Sequence, residues 1–200
     1  MTIGIDEVGR GPLAGPVFVV ALALPTSINL GASGLPLRDS KKLTGKERDA
    51  WCAWIRANPA IRYAVAKCAP KTIDRINITE AANRAAQAAY IRLMQRIGGK
   101  KQGKILLDYG IRLTPDIPQE MIVKGDEKVP AIALASIMAK VARDAYMERL
   151  GKRFPQYGFA ENKGYGTERH IEALERLGPC PAHRLTFIGN FGIVKTIKNR

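Results

Sequence analysis

The sequence predicts an α/β fold in which helices flank a mixed β-sheet. Apolar, partly β-branched segments of strand length begin the chain, and strands and helices alternate after these initial strands. A chain of 200 residues, 46% of them hydrophobic, can bury a sizeable core as one domain. We therefore predict a single domain over residues 1–200. Pro and Gly become frequent after Phe154, which predicts a small lobe over about residues 155–200.

Five segments are predicted to form the strands of this sheet. The first two, residues 2–8 and 16–24, are mostly apolar, and the third, residues 62–69, alternates apolar and polar side chains. Residues 104–108 form a compact apolar run that ends in an acid, and residues 120–123 are the fifth segment. Each segment has the length of a single strand.

Four helices are predicted, two of them from pairs with the spacing of a capping box, in which Glu follows the cap residue by three positions. These two begin at Thr44 with Glu47 and at Asn77 with Glu80, and they end near residues 57 and 98. A third covers residues 130–150, because Pro130 suits a first helical position and Gly151 suits the residue after the end. The fourth covers residues 168–177.

The charge of the chain points to a polyanionic partner. The formal net charge is +14, and nucleic acid is the leading candidate for a surplus of this size. An anionic membrane surface would also attract such a chain. However, no apolar run reaches the length of a spanning helix and no basic amphipathic anchor stands out, so we expect no membrane association.

The start of the chain and the cysteines indicate the compartment. The residues after Met1 enter a strand pattern at once, without the charged and apolar regions of a signal peptide. The three cysteines, Cys52, Cys68 and Cys180, have neither the spacing of a zinc site nor that of a redox motif. We expect reduced thiols, a cytoplasmic location and a monomer.

Four acidic residues stand at or just after the ends of predicted strands: Asp6, Glu7, Asp108 and Asp126. Sites in sheets of this kind gather at the carboxyl ends of parallel strands. Carboxylates brought together there would repel each other unless a cation lay between them. Mg²⁺ and Mn²⁺ prefer oxygen ligands, and two such ions can support hydrolysis of a phosphodiester.

The residues alone leave a second interpretation of these acids open. Each acid could instead cap a turn or pair with a Lys or Arg, as Asp126 beside Gly125 would. Neighbouring side chains on a regular strand also point to opposite faces of the sheet. Asp6 and Glu7 are therefore expected to share a site only where the strand ends or bulges, which Gly4 and Gly9 allow.

Five sequence blocks resemble the ribonuclease HII family, in the family's order and over nearly the whole chain. They are IGIDEVGRGPLAGPV at residues 3–17, LRDSKKL at 37–43, VKGDEKVPAIALASIMAKVARDAYM at 123–147, FPQYGFAENKGYGT at 154–167 and GPCPAHRLTF at 178–187. A neighbouring family, ribonuclease HIII, usually carries an additional N-terminal domain and lacks the Arg of the GRG motif. Arg10 therefore favours ribonuclease HII.

The resemblance implies a ribonuclease H-like fold, with a central five-stranded mixed sheet flanked by helices and a helical C-terminal region that helps to bind substrate. It implies an endonuclease that cuts RNA–DNA hybrids and DNA duplexes containing ribonucleotides, on the 5′ side of the ribonucleotide, leaving 5′-phosphate and 3′-hydroxyl ends. The catalytic and metal-binding residues it implies are Asp6, Glu7, Asp108 and Asp126, with Mg²⁺ or Mn²⁺. The family usually has Asp-Gly where this chain reads Asp108-Tyr109-Gly110, so the loop after Asp108 departs from the pattern.

Gly9, Arg10 and Gly11 follow the first two acids directly. An isolated Gly-Arg-Gly is typical of a tight turn with a solvated Arg. A second interpretation is that backbone without side chains approaches the sugar, where only RNA offers a 2′-hydroxyl. The family resemblance favours the second interpretation.

Further residues are predicted to bind substrate. Lys41 and Lys42 are expected to contact phosphates, and Ser136, Lys140 and Arg143 follow the helical spacing i, i+4, i+7 on one face. Asp144 can pair with Lys140 and is expected to support the site rather than bind metal.

Tyr165 and Arg184 complete the set of residues predicted to bind substrate, and the two histidines lie near them in the sequence. Tyr165 lies between glycines, where it either stacks on a sugar or base or anchors its loop through a hydrogen bond. Arg184, beside His183, is expected to touch phosphate. We expect His170 on a helix surface, and satisfied polar contacts rather than metal binding for both histidines.

Two other functions compete with this interpretation. A non-catalytic nucleic-acid binder would explain the basic charge, but acids clustered in such a chain would weaken phosphate binding unless metal bridged them. A nuclease of the same fold that ignores the sugar would share the acids. The Gly-Arg-Gly motif distinguishes the predicted enzyme from this second alternative.

Overall fold

The structure, a computed structural model, describes residues 1–98 and 103–189. Its strands are β1 (Thr2–Val8), β2 (Val17–Leu24), β3 (Arg62–Cys68), β4 (Lys104–Asp108) and β5 (Glu120–Ile122). They form one sheet in the order β3-β2-β1-β4-β5. The pairs β1–β2 and β2–β3 are antiparallel, whereas β1–β4 and β4–β5 are parallel. The predicted five-stranded mixed sheet is confirmed.

The helices lie on both faces of this sheet. They are α1 (Gly45–Ala57), α2 (Pro70–Ile76), α3 (Ile78–Arg96), α4 (Gly125–Lys128), α5 (Pro130–Arg153), α6 (Phe159–Asn162), α7 (Glu168–Leu177) and α8 (Leu185–Ile188). Short 3-10 helices cover Leu30–Ser33 and Pro155–Tyr157. Within the described ranges, no helix combines the length and the apolar character that crossing a membrane requires.

Both predicted N-caps are present. Glu47 N donates to Thr44 Oγ1 at 3.2 Å and Thr44 N donates to Glu47 Oε2 at 2.7 Å, which completes the capping box. Asn77 caps α3 by accepting from Glu80 N at 3.0 Å. Asn77 also ends α2, a helix that the sequence analysis did not predict.

The predicted end of α5 near residue 150 is wrong, because the helix continues to Arg153. Gly151 lies inside the helix, where it packs against α6. A Cβ at Gly151 would come within 2.8 Å of the Ala160 backbone nitrogen. The glycine therefore allows two helices to approach closely and does not terminate α5.

The core has a layer on each face of the sheet. One layer packs the small side chains of α3, such as Ala82 and Ala86, against Ile3 and Ile5 of β1. The other packs α1 and α5 against β2. A Cβ at Gly4 would lie 2.2 Å from the backbone of Ala131, so the start of α5 crosses β1 at close range. This crossing aims the following turns of α5 toward the end of β1.

The C-terminal part packs onto α5 through a third cluster. Met147 of α5 lies with Leu13, Phe159 and Leu174 in this cluster, and all four are buried. The backbone adds to the attachment, because Leu13 N donates to Gly164 O at 2.8 Å and Gly15 N donates to Ala182 O at 2.8 Å. The segment after the first acids is therefore held by residues from the far end of the chain.

Candidate active site

The ends of the two central parallel strands bring three of the predicted acids together. Carboxylate oxygens of Asp6, Glu7 and Asp108 lie within 4.8 Å of one another, and we call these residues the acid group. The expected end or bulge in β1 is absent, since its pairing with β2 runs without interruption to Val8. Instead, pairing with β4 stops at Ile5, and Asp6 Oδ1 turns along the strand to accept from Glu7 N at 2.7 Å.

The acid group concentrates negative charge that is poorly solvated. Asp6 is only 4% exposed, and burial followed by repulsion from Glu7 raises its pKa well above the usual value, although a hydrogen bond from Ser136 lowers it. Burial also raises the pKa of Glu7, and Arg10 opposes this effect. Glu7 Oε2 is buried without a hydrogen-bond partner among the described residues. Converging oxygens with an unsatisfied acceptor fit a hard divalent cation.

Asp126 lies beside the acid group at the start of α4. Asp108 Oδ1 accepts from Gly125 N at 2.8 Å, which ties the end of β4 to this short helix. Burial, followed by repulsion from Asp108 and Asp39, raises the pKa of Asp126. The carboxylate of Asp126 is not part of the converging group of three.

The departure after Asp108 leaves that acid in place. Tyr109 is 65% exposed, and Gly110 adopts φ +105, which the absence of a Cβ permits. The Gly110 carbonyl accepts from Arg10 Nη1 at 3.0 Å, so the altered loop contacts the motif that follows the first acids. The strand pattern predicted the position of Asp108 correctly, and the departure from the family pattern affects only Tyr109 and Gly110 after it.

One cleft of about 300 Å³ collects most of the predicted residues. Those that line it are Asp6, Glu7, Gly9, Arg10, Gly11, Lys41, Asp108, Asp126, Ser136, Lys140 and Tyr165. The remaining four, Lys42, Arg143, Asp144 and Arg184, do not line it. The cleft extends from the acids at the carboxyl ends of β1 and β4 to the loop of the C-terminal part that carries Tyr165.

Tyr165 forms the outer wall of this cleft. Its side chain is 46% exposed and its ring lies 5.9 Å from the Arg143 Cζ atom. The preceding Gly164 has φ +85, and a Cβ there would come within 2.5 Å of Ala14 O. The loop is thus fixed against residues 13–14 while the tyrosine ring faces the cleft.

The structure contradicts direct substrate contact by Arg143 and Arg184. Both side chains are fully buried, so neither guanidinium reaches a phosphate at the surface. Their donors bind carbonyl groups of residues 9–16 instead. Helical spacing from Lys140 had suggested a shared exposed face, but this turn of α5 is covered by the loop after β1.

Comparison with known proteins agrees with this geometry. A family model described as ribonuclease HII matches residues 3–190. The ribonuclease HII of Neisseria meningitidis serogroup B is 45% identical over 189 residues, covering 94% of this chain and 92% of that protein. The chain belongs to the ribonuclease HII family. It is accordingly a metal-dependent endoribonuclease that acts on the RNA strand of RNA–DNA hybrids.

Two solved structures of other proteins have the same fold as this chain. Ribonuclease H2 from Pyrococcus horikoshii has a TM-score of 0.75 at 23% identity, covering 100% of this chain and 99% of that chain. Bst-RNase HIII in complex with Mn²⁺ has a TM-score of 0.80 at 20% identity, covering 100% and 70%. The predicted ribonuclease H-like fold is confirmed.

Two of the lysines predicted to bind substrate, Lys42 and Lys140, are engaged in ion pairs. Lys42 Nζ lies 3.1 Å from Glu127 Oε1 on the exposed rim, and this contact raises the pKa of Lys42. Lys140 Nζ lies 2.9 Å from Asp144 Oδ1, which is the i,i+4 pair expected from the sequence. Asp144 does not line the cleft, but it holds Lys140, which does.

Ser40 belongs to the cleft but was not among the predicted site residues. It is buried, lines the cleft, and its hydroxyl lies 3.0 Å from the hydroxyl of Ser136. The signal was its place in the LRDSKKL block of the ribonuclease HII family. The pair links the loop before α1 to α5 directly beside Asp6.

The histidines of the ribonuclease HII chain are buried behind Tyr165. The expectation of a surface position for His170 is wrong, because α7 turns this residue into the third core cluster. Its Nε2 lies 3.0 Å from His183 Nε2, and its Nδ1 lies 2.8 Å from Tyr165 O. Cys180 N donates to His183 Nδ1 at 2.9 Å. This series of hydrogen bonds is complete when both imidazole rings are neutral. Burial lowers the pKa of His183 to about 4.

Proposed function

We propose that this enzyme, besides cutting the RNA strand of hybrids, cuts duplex DNA on the 5′ side of an embedded ribonucleotide. The products are 5′-phosphate and 3′-hydroxyl ends. The proposal is carried by one observation: the acid group and the GRG segment (residues 9–11) line the same cleft. The cut is therefore made next to the segment that recognises the sugar.

The residues present fit two divalent ions, Mg²⁺ or Mn²⁺. The acid group would hold them, with Asp126 providing a carboxylate from the neighbouring α4. When bound, two such ions activate a water molecule for in-line attack and stabilise the departing 3′-oxygen. The unpartnered oxygen of Glu7 supports this assignment, and so does the Mn²⁺ complex of the related Bst-RNase HIII.

The GRG segment is proposed to recognise the 2′-hydroxyl through its backbone. The side chain of Arg10 is already engaged, because its guanidinium donates to Gly110 O at 3.0 Å and to Thr79 Oγ1 at 3.2 Å. Gly11 is exposed, and a Cβ there would have no atom within 4 Å. The backbone at Gly11 is therefore open to a close approach by the sugar.

The other cleft residues are proposed to hold the strand around the scissile bond. Lys41 and Lys140 supply positive charge on the wall that faces the acid group, and Ser136 supplies a hydroxyl. Tyr165 would stack on the deoxyribose that follows the ribonucleotide, where no 2′-hydroxyl obstructs its ring. Together, these contacts would recognise the junction between a ribonucleotide and the deoxyribonucleotide that follows it.

The organisation of the protein is proposed on the same basis. Residues 1–200 form a single catalytic domain, in which about residues 155–200 are a substrate-binding lobe that carries Tyr165. The third core cluster, which joins this lobe to α5, supports the proposal. The free cysteines support a cytoplasmic location, and the proposed enzyme is a monomer.

The test is a cleavage assay on matched labelled duplexes with Mg²⁺ or Mn²⁺: all DNA, RNA–DNA hybrid, and DNA with one ribonucleotide. We expect cleavage of the last two substrates only, with the single ribonucleotide left at the new 5′ end. Cutting on its 3′ side, or equal cutting of the all-DNA duplex, would overturn the proposal. Asp6→Asn is the inactive control for contaminating nucleases.

A further inference from the structure

Two arginines are buried directly beneath the GRG segment without a carboxylate partner. Arg143 from α5 and Arg184 from the start of α8 are both fully buried, and we call them the arginine pair. Within residues 1–98 and 103–189, neither forms a salt bridge. A buried cation without a counter-ion is costly, so hydrogen bonds to neutral acceptors have to offset much of that cost.

Arg184 satisfies its donors with the carbonyl groups of the GRG segment and its neighbour. Its Nη2 donates to Gly9 O at 2.5 Å and its Nη1 donates to Arg10 O at 2.7 Å. Its Nε donates to Gly15 O at 2.9 Å. One planar fork therefore fixes three carbonyl groups from both ends of the loop that follows β1.

Arg143 holds the same loop from the side of α5. Its Nε donates to Pro16 O at 3.3 Å and its Nη2 donates to Ala14 O at 3.2 Å, whereas its Nη1 is buried without a hydrogen-bond partner among the described residues. Gly9, with φ +95, lies directly on this side chain, since a Cβ there would come within 2.2 Å of Arg143 Nε. The first glycine of the motif is thus required by the buried arginine as well as by its backbone conformation.

The direction of these carbonyl groups determines what the segment presents to the cleft. In a trans peptide the C=O of one residue and the N–H of the next point in opposite directions. Because the carbonyls of Gly9 and Arg10 point inward to Arg184, the N–H groups of Arg10 and Gly11 point away from it. The same two residues line the cleft.

We propose that Arg143 and Arg184 are positioning residues, which turn the N–H groups of the GRG segment toward the 2′-hydroxyl of the substrate. This inference rests on the proposed function, in which that segment recognises the ribose. Arginine suits the role because its donors are fixed in a plane, whereas a lysine at either position offers one ammonium at the end of a flexible chain. The positive charge of the pair remains under the cleft.

The test compares Arg184→Lys with the wild-type enzyme in equilibrium binding. Two duplexes are used, identical except that one carries a single ribonucleotide, and Ca²⁺ replaces the catalytic ion so that cleavage does not interfere. We expect the wild type to bind the ribonucleotide duplex more tightly than the all-DNA duplex. In Arg184→Lys the ratio of the two affinities should be about tenfold smaller. A displacement of the segment by about 1 Å is enough to lower kcat/KM on this substrate by about a hundredfold.

A merely structural role would lower stability without changing the ratio of the two affinities. Thermal unfolding of each variant is therefore measured alongside. Arg143→Lys, which changes two recorded hydrogen bonds rather than three, is the second variant should Arg184→Lys fail to fold. Arg149→Lys is the matched control, because Arg149 is exposed on the same helix, and we expect it to leave the ratio unchanged.

The outcomes separate the two proposals. If the wild type does not distinguish the duplexes, the proposed function fails and the positioning role falls with it. If the wild type distinguishes them and both lysine variants do so equally well, only the positioning role is overturned. A lost preference in the lysine variants, with Arg149→Lys unchanged, supports it.

Discussion

The acid group, which is partly buried, and the arginine pair, which is fully buried, are both clusters of like charge, and they lie on opposite sides of the GRG segment. The carboxylates converge on open space and leave Glu7 Oε2 without a partner among the described residues. The guanidinium groups instead find five carbonyl acceptors in residues 9–16. The acid group thus keeps acceptors free for an ion, whereas the chain itself supplies the acceptors for the arginine pair and leaves one buried nitrogen, Arg143 Nη1, without a partner among the described residues. A charge cluster thus indicates a ligand site when its polar atoms converge on space that a ligand can enter.

The largest expected effect follows from neutralising the acid group. Asp6→Asn should lower cleavage by about a thousandfold or more, since metal chemistry contributes several kcal/mol at the transition state. In metal-free buffer the same variant should melt higher, by about 2–4 °C for each kcal/mol gained, because a desolvated charge is removed. Cleavage assays and thermal unfolding with a chelator measure both.

Asp126→Asn extends this prediction to the neighbouring carboxylate, and we expect it to remove most activity while leaving the fold intact. Asp116→Asn is the control, because Asp116 is an exposed loop residue. Near wild-type cleavage by pure Asp126→Asn protein would exclude that residue from the catalytic set.

Removing the other cluster should change stability in the opposite direction. Arg184→Met withdraws donors from three buried carbonyl groups, each worth about 1 kcal/mol, so unfolding should become easier by about 3 kcal/mol. This corresponds to a melting temperature lower by about 6–12 °C. Arg169→Met is the matched control on the exposed surface of α7. Equal melting of the two variants would refute the contrast between the clusters.

Tyr165 lies near both clusters, because it lines the cleft of the acid group and its ring lies over Arg143. Tyr165→Ala should lower the rate on a single-ribonucleotide duplex about ten- to a hundredfold, the value of about 1–3 kcal/mol for a lost stack. Tyr165→Phe should keep most of the rate, because the ring remains. Tyr109→Ala serves as control, since that ring is exposed and does not line the cleft. Equal losses in both alanine variants would argue against stacking.

The histidine pair behind Tyr165 predicts a dependence of stability on pH. The folded protein holds His183 neutral with a pKa of about 4, whereas the unfolded chain takes up a proton near the ordinary value of 6.5. The unfolded state therefore binds more protons between these values, and stability present above pH 6.5 is lost as pH falls toward 4. The loss from this group is about 2 kcal/mol at pH 5.

Urea unfolding at pH 7, 6 and 5 measures this loss. His183→Phe should show a flatter dependence than the wild type over that range, because its proton uptake is gone. The comparison of slopes removes contributions that the other titrating groups make equally to both proteins. Identical slopes would mean that His183 is not held neutral in the folded state.

The smallest expected effect lies on the rim, outside both clusters. Lys42→Ala should flatten the dependence of the logarithm of affinity on the logarithm of salt concentration by about one phosphate contact. Glu127→Gln, which removes the partner of Lys42, should leave that contact in place. Binding to a hybrid at several salt concentrations provides the measurement. An unchanged slope in Lys42→Ala would remove this lysine from the substrate footprint.

Local patterns predicted the sheet and most of the cleft. The apolar run of β4 predicted where Asp108 lies, and the capping box at Thr44 predicted the start of α1, because both depend on neighbours within a few residues. Helix α2 escaped prediction since it is short and no side chain caps it. The pattern around Gly151 predicts a helix end, because the approach of α6 does not show in the sequence near it.

The burial of the arginine pair could not be predicted from spacing along α5. Residues 131–139 of this helix are buried on every side, so an amphipathic face does not describe it. Arg143 bonds to residues more than 120 positions earlier, as does Arg184. His170 is buried by the same long-range packing of the C-terminal part. Only the assembled fold brings these partners together.

The attachment of Arg184 to the loop after β1 also sets when activity can arise during synthesis. The hydrogen bonds join residues 169 to 175 positions apart, so the loop acquires its final form only after residue 184 has been made. Strands β1 to β3 and helix α3 can assemble on the ribosome well before that. We expect nascent chains to hold a folded sheet yet to lack the final conformation of the GRG segment. The nuclease would then become competent only once residue 184 can pack against that loop.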